Sequence, residues 1–349
     1  MAEKRETTER MMAMSQARIA LFGATGAVGA EMLKILEERS FPIGDLRLLA
    51  SHGGRTVSWR GRERPVEAVG PDSFRDIDLA LFAVDGEVSR TWAPEAVRSG
   101  AVVIDNSSAF RMDDDVPLVI PEVNPEDIEG HRGIIANPNC STIIALVALH
   151  PLHRAVGIRR LVASTYQAVS GAGKAGLEEL LEQTRAWARG EEPQVSAFAY
   201  PIAFNLIPHI DAFTENGYTK EELKMRDESR KILHAPDLRV SCTCVRVPVQ
   251  RSHSEALTIE TERPLTPDEA RELLRNAPGI RVVDDPSRKL YPMPLDASDQ
   301  DLIHVGRIRV DESAERNGLA LWVCGDQIRK GAATNAVQIA EALWRRRAC

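Results

Sequence analysis

Apolar residues in the N-terminal part of the chain fall into short, almost continuous runs separated by helix-forming stretches. The runs lie at residues 18–22, 46–50, 78–84, 101–104 and 133–136, and a helix is predicted at 30–38. Strands that are apolar at nearly every position are typical of a parallel sheet with helices on both faces. The pattern therefore predicts βαβ units and a first domain of α/β type.

After Pro138 the pattern changes to longer strands with amphipathic helices between them. Helices are predicted at 141–149, 175–188, 219–234 and from Thr266 onward, and strands at 161–169, 239–249, 257–262, 280–283, 301–310 and 318–324. These longer strands favour a mixed or antiparallel sheet in a second domain. A last helix, from about residue 328 to 347, is predicted to return to the first domain.

Composition limits the classes of protein to be considered. The chain has 349 residues, 43% of them hydrophobic, which is enough for a folded core in about two domains. Its net charge of −7 argues against a nucleic-acid binder. The longest apolar run, residues 143–149, is far below the roughly 20 residues of a membrane span. We expect no membrane segment and a cytoplasmic location.

The N-terminus and the cysteines add two further expectations. Residues 1–17 are polar, without the apolar stretch of a signal peptide, and are predicted to be a disordered leader. The five cysteines are sparse and contain no CxxC pair, which argues against a disulfide scaffold and against a zinc site. No metal is expected.

A glycine-rich turn follows the first predicted strand and leads into the first helix. Its sequence is Gly23-Ala-Thr-Gly-Ala-Val-Gly29, a GxxGxxG spacing rather than GxGxxG. Backbone amides at such a turn, together with the N-terminus of a helix, favour a bound phosphate. The alternative is a tight turn without a ligand. Its position at the first βα crossing favours a dinucleotide site.

The end of the second predicted strand indicates which dinucleotide is bound. An NAD site usually has an acidic residue here to hold the ribose 2′-hydroxyl. This chain has Ser51-His-Gly-Gly-Arg55 instead, with no carboxylate. Ser51 and Arg55 are suited to a 2′-phosphate, so NADP is favoured over NAD.

Cys140 follows Asn137-Pro-Asn139 and lies between an apolar strand and an apolar helix. A cysteine at a helix N-terminus has a stabilised thiolate and can act as a nucleophile. The alternative is a buried structural cysteine, which is the better interpretation of Cys242, Cys244, Cys324 and Cys349. The rigid turn before Cys140 favours reactivity.

Several motifs in fixed order extend this picture beyond single residues. They are GATGAVG at 23–29, VIDNSSAFR at 103–111, PEVN at 121–124, NPNCST at 137–142, YQAVSGAG at 166–173, EELKM at 221–225, CVRVP at 244–248, HSE at 253–255 and GAATN at 331–335. From about Arg18 to its C-terminus, the chain resembles the aspartate-β-semialdehyde dehydrogenases.

This resemblance implies a fold and a set of domains. It implies a Rossmann-type dinucleotide-binding domain and a mixed-sheet catalytic and dimerisation domain, similar to glyceraldehyde-phosphate dehydrogenase. The expected boundaries are 18–139, completed by the helix at 327–349, and 140–326. Family members are homodimers or homotetramers, so at least a dimer is expected.

The resemblance also implies the roles of individual residues. Cys140 corresponds to the nucleophile, Gln167 orients the substrate, and His253 is the general acid–base. Arg246 holds the substrate α-carboxylate, and Glu221, rather than Glu222, meets the α-ammonium group. The residues expected to hold phosphate are Arg111 and Lys224, and the remaining substrate contact is Asn139. On chemistry alone, Arg251 competes with Arg246.

A spacing argument qualifies the pairing of Arg246 with His253. These residues are seven apart and would point to opposite faces of one regular strand. The stretch 250–252 must therefore turn or bulge if both belong to one site.

The expected cofactor contacts come from both halves of the chain. They are Gly23, Thr25, Gly26, Ala27, Val28, Gly29, Ser51, Gly53, Gly54, Arg55, Ser170, Gly171, Gln327 and Asn335. The loop after the second strand is about two residues shorter than in many relatives. The Arg that meets the 2′-phosphate in those relatives is therefore absent or replaced by Arg55.

The implied reaction is the NADP-dependent reductive dephosphorylation of L-4-aspartyl phosphate to L-aspartate 4-semialdehyde through a cysteine thioester. It belongs to the biosynthesis of lysine, threonine, methionine and isoleucine. Two alternatives stay open at this point. One is an N-acetyl-γ-glutamyl-phosphate reductase, and the other is a non-catalytic homologue that binds NADP.

Overall fold

The computed structural model describes residues 16–347, which divide into a first unit, residues 16–138 with 332–347, and a second unit, Asn139–Gly331. The division lies one residue before the predicted boundary at 139/140 and five residues after the one at 326/327. The expected leader lies outside the described residues except for its last two positions. Ala17 is fully buried and already belongs to the first strand, so order begins before Arg18.

The first unit contains a seven-stranded sheet with the order β3-β4-β2-β1-β5-β6-β7. Its elements are β1 (Ala17–Phe22), α1 (Ala27–Glu38), β2 (Ile43–Ala50), β3 (Arg55–Trp59), β4 (Arg62–Ala68), β5 (Leu79–Phe82), α2 (Gly86–Arg98), β6 (Val102–Asp105), β7 (Ile134–Ala136) and the C-terminal helix α8 (Thr334–Arg347). Neighbouring strands are parallel except β3 and β4. The predicted doubly wound α/β domain is confirmed.

The β3–β4 hairpin is absent from the sequence prediction. Its strands carry alternating charges and only two large apolar residues, Trp59 and Val66, at buried positions. The connecting residues Arg60 and Gly61 both have positive φ, 49° and 68°. That conformation is typical of a two-residue hairpin turn, for which X-Gly is the available sequence signal.

Helices cover both faces of this sheet. Ile35 and Leu36 of α1 belong to the same apolar core as Ile339 and Leu343 of α8. On the opposite side, Ala93 of α2 packs with residues of β1, β5 and β6. The last helix therefore packs in the core of the first unit.

The second unit contains a six-stranded mixed sheet with the order β11-β12-β13-β10-β8-β9. Its elements are α3 (Cys140–Val156), β8 (Ile158–Gln167), α4 (Gly173–Ala188), α5 (Lys220–Ile232), β9 (Arg239–Arg246), β10 (His253–Thr261), α6 (Pro267–Arg275), β11 (Ile280–Val282), α7 (Pro294–Ala297), β12 (Ile303–Val310) and β13 (Gly318–Gly325). Only β8–β9 and β11–β12 are parallel pairs. The predicted mixed sheet is confirmed.

Burial alternates along the central strands of this sheet, as expected when one face is packed by helices. In β8 the residues Leu161, Ala163 and Thr165 are buried, and the residue after each of them is half-buried. The helices α3, α5 and α6 contact the sheet, and α3 is the most apolar of them. No helix within residues 16–347 is long and apolar enough to cross a membrane.

Candidate active site

Three polar side chains lie at one end of three neighbouring strands of the second unit. Arg246, the last residue of β9, is paired in parallel register with Gln167, the last residue of β8. His253 is the first residue of β10, and the next residue, Ser254, is paired with Tyr166. Because β10 runs antiparallel to β8, its first residue lies beside the last residue of β8. The sheet thus places Arg246, Gln167 and His253 on three adjacent strands.

The connection between β9 and β10 turns, as the spacing argument requires. Ser252 has a φ of 72°, in the left-handed region. Its backbone N–H donates to Oε1 of Gln327 at 2.8 Å. The prediction of a turn at 250–252 is confirmed, and the two residues it separates belong to different strands.

His253 is fully buried, and its ring is held by the backbone. Its Nδ1 accepts a hydrogen bond from the Ala168 N–H at 3.1 Å, so the neutral ring carries its proton on Nε2. Nε2 has no hydrogen-bonding partner among the described residues. Burial lowers the pKa of His253 well below its usual value, and the Arg246 guanidinium lowers it further. The imidazole is therefore neutral at pH 7 and is a donor through Nε2.

Arg246 is a buried cation, 6% exposed, that forms no ion pair within residues 16–347. One of its terminal nitrogens donates to the carbonyl of Ala168 at 2.8 Å, and burial lowers its pKa. Its competitor Arg251 differs, because it lies 2.6 Å from a carboxylate oxygen of Asp326 and 2.8 Å from one of Asp299. Arg251 is already neutralised, which leaves Arg246 as the candidate for binding a carboxylate.

Cys140 is the first residue of α3, and Asn139 caps that helix. Oδ1 of Asn139 accepts from the N–H groups of Ser141 at 3.0 Å and Thr142 at 3.4 Å. Cys140 is partly exposed, whereas the other three described cysteines are buried. Electrostatic attraction to Cys140 raises the pKa of Arg246 against the effect of burial. An accessible thiol thus lies at a helix N-terminus and interacts with a cation.

Two glutamates of α5 hold Asn139 in place. Oε2 of Glu228 accepts from its backbone N–H at 2.7 Å, and Oε1 of Glu221 accepts from its side-chain nitrogen at 3.0 Å. These contacts commit Asn139 to the protein as a cap. Its expected contact with substrate stays a prediction.

Glu221 is also the centre of a charged cluster. It accepts from Nζ of Lys224 at 3.0 Å and from Nε2 of Gln167 at 3.2 Å, and Lys224 contacts Asp211 at 2.8 Å. Burial alone would raise the pKa of Glu221, but Lys224 and the hydrogen bonds it accepts hold it below its usual value. Burial likewise opposes the charge on Lys224, but the attraction of Glu221 raises its pKa. Both residues are charged at pH 7.

Glu222, the second acid of the motif, is committed to the fold. One of its oxygens accepts from the Thr219 N–H at 2.7 Å in the capping box of α5, and the other accepts from the Cys244 N–H at 3.0 Å. The choice of Glu221 over Glu222 for the substrate ammonium group stays a prediction.

Two glycines allow the site to pack closely. A Cβ on Gly171 would lie 2.7 Å from a terminal nitrogen of Arg246 and 3.2 Å from Cε1 of His253. A Cβ on Gly331 would lie 3.0 Å from Cβ of Cys140. Gly171, expected to contact the cofactor, thus lies against catalytic candidates, and the contact of Gly331 is one that sequence reasoning missed. Only the motifs SGAG and GAATN signalled these positions.

The glycine-rich loop of the first unit has the form that a pyrophosphate site requires. Gly23 has a φ of 93°, and an added Cβ would overlap the carbonyl oxygen of Ala83. A Cβ on Gly29 would overlap the carbonyl oxygen of Gly23. Gly26 is the N-cap of α1 and supplies no side-chain cap, and Thr25, Gly26 and Ala27 are exposed. The loop leaves the helix N-terminus open to a phosphate.

The loop after β2 is exposed and has unengaged polar side chains. Gly53 and Gly54 follow the edge of β4, where the Gly54 N–H donates to the Val66 carbonyl at 3.2 Å. No hydrogen bond or ion pair within residues 16–347 involves the side chains of Ser51 or Arg55. Both side chains are therefore available to a ligand.

The remaining expected cofactor residues have partners within their own units. The side-chain nitrogen of Asn335 donates to the Val119 carbonyl at 2.9 Å and to Oδ1 of Asn137 at 2.7 Å. Gln327 donates to the hydroxyl of Ser170 and accepts from Ser252. Their contacts with a dinucleotide stay predictions.

Arg111, expected to hold phosphate, is 7% exposed in the first unit. Its guanidinium donates to the carbonyls of Asn137 at 2.9 Å and Asn106 at 3.0 Å. The described residues contain no group of three or more His, Cys, Asp or Glu side chains arranged to hold a metal ion.

Comparison with known proteins identifies the class. Residues 18–131 match the family model of the semialdehyde dehydrogenase NAD binding domain, and residues 149–330 match that of the semialdehyde dehydrogenase dimerisation domain. The chain is therefore a semialdehyde dehydrogenase that binds NAD(P) and carries the dimerisation domain of that class.

Individual relatives narrow the class further. The chain is 55% identical over 332 residues to the aspartate-semialdehyde dehydrogenase of Aquifex aeolicus, covering 93% of this chain and 97% of that protein. It is 51% identical to the aspartate-semialdehyde dehydrogenase of Bacillus subtilis over 335 residues, covering 93% of this chain and 96% of that protein. The chain belongs to the aspartate-semialdehyde dehydrogenase family. It is an oxidoreductase of amino-acid biosynthesis with that activity.

Solved structures agree with this assignment. Aspartate semialdehyde dehydrogenase II from Vibrio cholerae, solved in complex with ASA, matches with a TM-score of 0.92 and 49% identity, covering 95% of this chain and 99% of that one. The enzyme from Candida albicans, solved with NADP, matches with a TM-score of 0.75 and 26% identity, covering 96% and 100%. These relatives do not support the acetylglutamyl-phosphate reductase or the non-catalytic homologue.

Proposed function

We propose that Cys140 carries the reaction as a covalent nucleophile. The observation that carries this proposal is a partly exposed thiol at the capped start of α3, attracted to the buried guanidinium of Arg246. In the biosynthetic direction the thiolate attacks the carbonyl carbon of L-4-aspartyl phosphate. The bond from that carbon to the phosphate oxygen breaks, phosphate leaves with the electron pair, and a thioester forms on Cys140.

When bound, the dinucleotide would supply the hydride for reduction of the thioester carbonyl. His253 then faces the oxygen on which negative charge develops, and its Nε2–H donates a hydrogen bond to that oxygen. The alkoxide reforms the carbonyl group, the C–S bond breaks, and Cys140 leaves as a thiolate. This step balances without net proton transfer, and the neutral imidazole with its proton on Nε2 can serve as the donor.

Charge complementarity supports the assignment of an aspartyl substrate. Arg246 is a buried cation without a counter-ion among residues 16–347, and a bidentate α-carboxylate would neutralise it. Glu221 is ionised and lies beside Gln167, so it suits the α-ammonium group while Gln167 orients the reacting end. Lys224 and Arg111 are proposed to hold the phosphate on the motif resemblance alone, because Lys224 already contacts Glu221 and Asp211, and Arg111 donates to backbone carbonyls.

We propose NADP as the preferred dinucleotide. Strand β2 ends without a carboxylate, and the side chains of Ser51 and Arg55 are exposed and unengaged within residues 16–347. A 2′-phosphate needs such donors, whereas a 2′-hydroxyl is usually held by an acid.

We propose a homodimer, or a tetramer built from it. Several large apolar side chains of the second unit are strongly exposed, namely Trp187, Tyr200, Phe204, Leu206 and Phe213. Apolar surface of this kind is typical of protein interfaces. It lies within the region that matches the dimerisation domain.

We also propose a cytoplasmic location. Cys140, Cys242, Cys244 and Cys324 are all free thiols. Free thiols persist in compartments that are kept reducing.

The test of the nucleophile is phosphate-dependent reduction of NADP⁺ and NAD⁺ with L-aspartate 4-semialdehyde. Cys140→Ala should lower kcat by at least about 10³-fold, because covalent catalysis is lost. The matched control Cys242→Ala removes a buried thiol of β9 and should stay within about threefold of wild type. A folded Cys140→Ala protein with near-normal turnover would overturn the assignment.

A further inference from the structure

The His253-Ser-Glu255 motif contains one residue that the proposed chemistry does not use. Glu255 is fully buried, two residues after His253 in β10. It is paired with Thr165 of β8 on one side and with Val323 of β13 on the other. Residues two apart on a strand share a face, so Glu255 lies on the same helix-packed face as His253. A carboxyl group thus occupies the middle of a sheet.

The surroundings of Glu255 do not compensate a negative charge. Neither carboxyl oxygen of Glu255 forms a hydrogen bond within residues 16–347. Burial raises the pKa of Glu255 well above its usual value, and the neighbouring Cys244 and Glu221 raise it further. Only the Ser141 hydroxyl lowers its pKa.

The other titratable groups that interact electrostatically with the Glu255 carboxyl are also acids. They are the thiols of Cys242 on β9 and Cys324 on β13. An unpaired carboxylate in such a setting is costly, whereas a neutral carboxylic acid needs only an acceptor for its proton.

The backbone amides at the start of α3 do not neutralise Glu255 either. The N–H groups of Ser141 and Thr142 donate to Oδ1 of Asn139, and that of Ile143 donates to the Asn139 carbonyl at 2.9 Å. The Ser141 hydroxyl, in contrast, is buried and has no partner among the described residues. Glu255 and Ser141 therefore each lack a partner, and each is the available neighbour of the other.

We propose that Glu255 is a positioning residue of the active site, a protonated carboxylic acid that donates a hydrogen bond to the Ser141 hydroxyl. Ser141 directly follows Cys140, so this bond fixes the first turn of the helix that carries the nucleophile. A neutral Glu255 also places no second negative charge near the Cys140 thiolate. The attraction between that thiolate and Arg246 is therefore not weakened. The inference rests on the proposed role of Cys140.

The protonation state is tested by the pH dependence of stability in Glu255→Gln. A buried acid whose pKa is raised on folding stabilises the protein below its unfolded pKa, and that stability is lost as the pH rises. Because Glu255 titrates only in the unfolded state over this range, it lowers the folded-to-unfolded ratio of wild type about tenfold per pH unit above roughly pH 4.3, the pKa of an unfolded glutamate. Glutamine does not titrate, so the urea midpoint of Glu255→Gln should rise relative to wild type between pH 5 and pH 8.

Glu260→Gln is the matched control on the same strand. Arg160 contacts Glu260 at 2.6 Å and lowers its pKa, so the stability contributed by Glu260 is present at high pH and lost at low pH. The urea midpoint of Glu260→Gln should therefore stay level or fall relative to wild type as the pH rises. A midpoint difference for Glu255→Gln that is constant with pH, or that moves as in the control, would show an ionised Glu255 and overturn the proposal.

The contact with Ser141 is tested by a double-mutant cycle that reads kcat, KM and the rate of Cys140 alkylation by iodoacetamide. Glu255→Leu and Ser141→Ala should each lower kcat and alkylation about three- to tenfold, with KM little changed, and the double variant should lose no more than either. Glu255→Gln keeps a hydrogen-bond donor, so its kcat and its alkylation rate should stay near those of wild type. If the effects of Glu255→Leu and Ser141→Ala multiplied in the double variant, the two residues would not act through one hydrogen bond. Equal losses for Glu255→Gln and Glu255→Leu would contradict a neutral Glu255 that donates.

The two readouts separate this inference from the proposed function. If Cys140→Ala retained full turnover, the nucleophile assignment would fail, while urea midpoints would still report the state of Glu255. If Glu255→Leu did not fold, the comparison of Glu255→Gln with Glu260→Gln would still decide the matter.

Discussion

The ends of the β8, β9 and β10 strands in the second unit and the cofactor loops of the first unit are built in opposite ways. At the strand ends, Gln167, Arg246 and His253 are at most 6% exposed and have fixed hydrogen bonds to the chain. In the loop after β2, Ser51 and Arg55 are exposed, and their side chains are unengaged within residues 16–347. The first region is organised before substrate arrives, whereas the second presents donors to be organised by a ligand.

This difference follows from what each region must do. Reaction chemistry requires groups whose charge and proton position are already set. For His253, burial beside Arg246 sets the charge, and the Ala168 N–H bonded to Nδ1 sets the position of the proton. Binding a phosphate at a surface needs little more than open amides and mobile cations. We therefore expect substitutions at the strand ends to act on turnover, and substitutions in the loops to act on stability or cofactor choice.

Among the substitutions that compare these two regions, the largest effect is expected from Arg246→Lys, because the lysine ammonium cannot form the two parallel hydrogen bonds that a guanidinium offers a carboxylate. We expect kcat/KM to fall about 10²–10³-fold, as when a buried charge pair is broken. Steady-state kinetics with L-aspartate 4-semialdehyde measure this loss. Arg239→Lys, at the exposed opposite end of β9, is the control and should change kcat/KM less than twofold. Equal effects of the two substitutions would remove Arg246 from the site.

Local patterns account for much of what the sequence predicts correctly. Apolar runs located the central strands, and the parity of residues 246 and 253 required the turn that Ser252 makes. Such features depend on neighbours a few positions apart. The motif resemblance also favours Glu221 over Glu222 as a substrate ligand; this choice stays a prediction, and the structure adds that Glu222 forms the capping box of its helix.

Features that depend on distant pairing were not predictable in the same way. The β3–β4 hairpin joins the sheet by pairing β4 with β2. The residues of the hairpin are too polar for their sequence pattern to indicate a strand. The contact of Gly171 with Arg246, and the unpaired state of Glu255, result from the register of strands far apart in the chain. One sequence without that register contains no signal for them beyond the motifs themselves.

An intermediate effect is expected from Gly23→Ala in the glycine-rich loop. The substitution forces an L side chain into a φ of 93° and places its Cβ against the Ala83 carbonyl oxygen. We expect a loss of about 3 kcal/mol in the free energy of unfolding of the first unit, together with weaker dinucleotide binding. Urea unfolding and fluorescence titration with NADPH measure the two effects.

Gly54→Ala is the control for this substitution. Gly54 also has a positive φ, 89°, but a Cβ there meets nothing within 4 Å. Its cost should be only about 1 kcal/mol, from the backbone conformation alone. If both variants lost the same stability, the close approach to Ala83 would not be what requires glycine at position 23.

The smallest effect is expected from Arg55→Ala, and it tests whether the shortened loop still distinguishes the two dinucleotides. An exposed guanidinium contributes modestly to binding a phosphate, so the ratio of kcat/KM for NADP⁺ to that for NAD⁺ should fall about three- to tenfold. The value for NAD⁺ itself should not change, because NAD⁺ has no 2′-phosphate. Arg60→Ala, at the tip of the hairpin, serves as the control and should leave the ratio unaltered. A ratio that Arg55→Ala leaves intact would mean that Ser51 and backbone amides alone recognise the 2′-phosphate. The loop would then resemble the strand ends, with recognition set by the fold instead of by an exposed side chain.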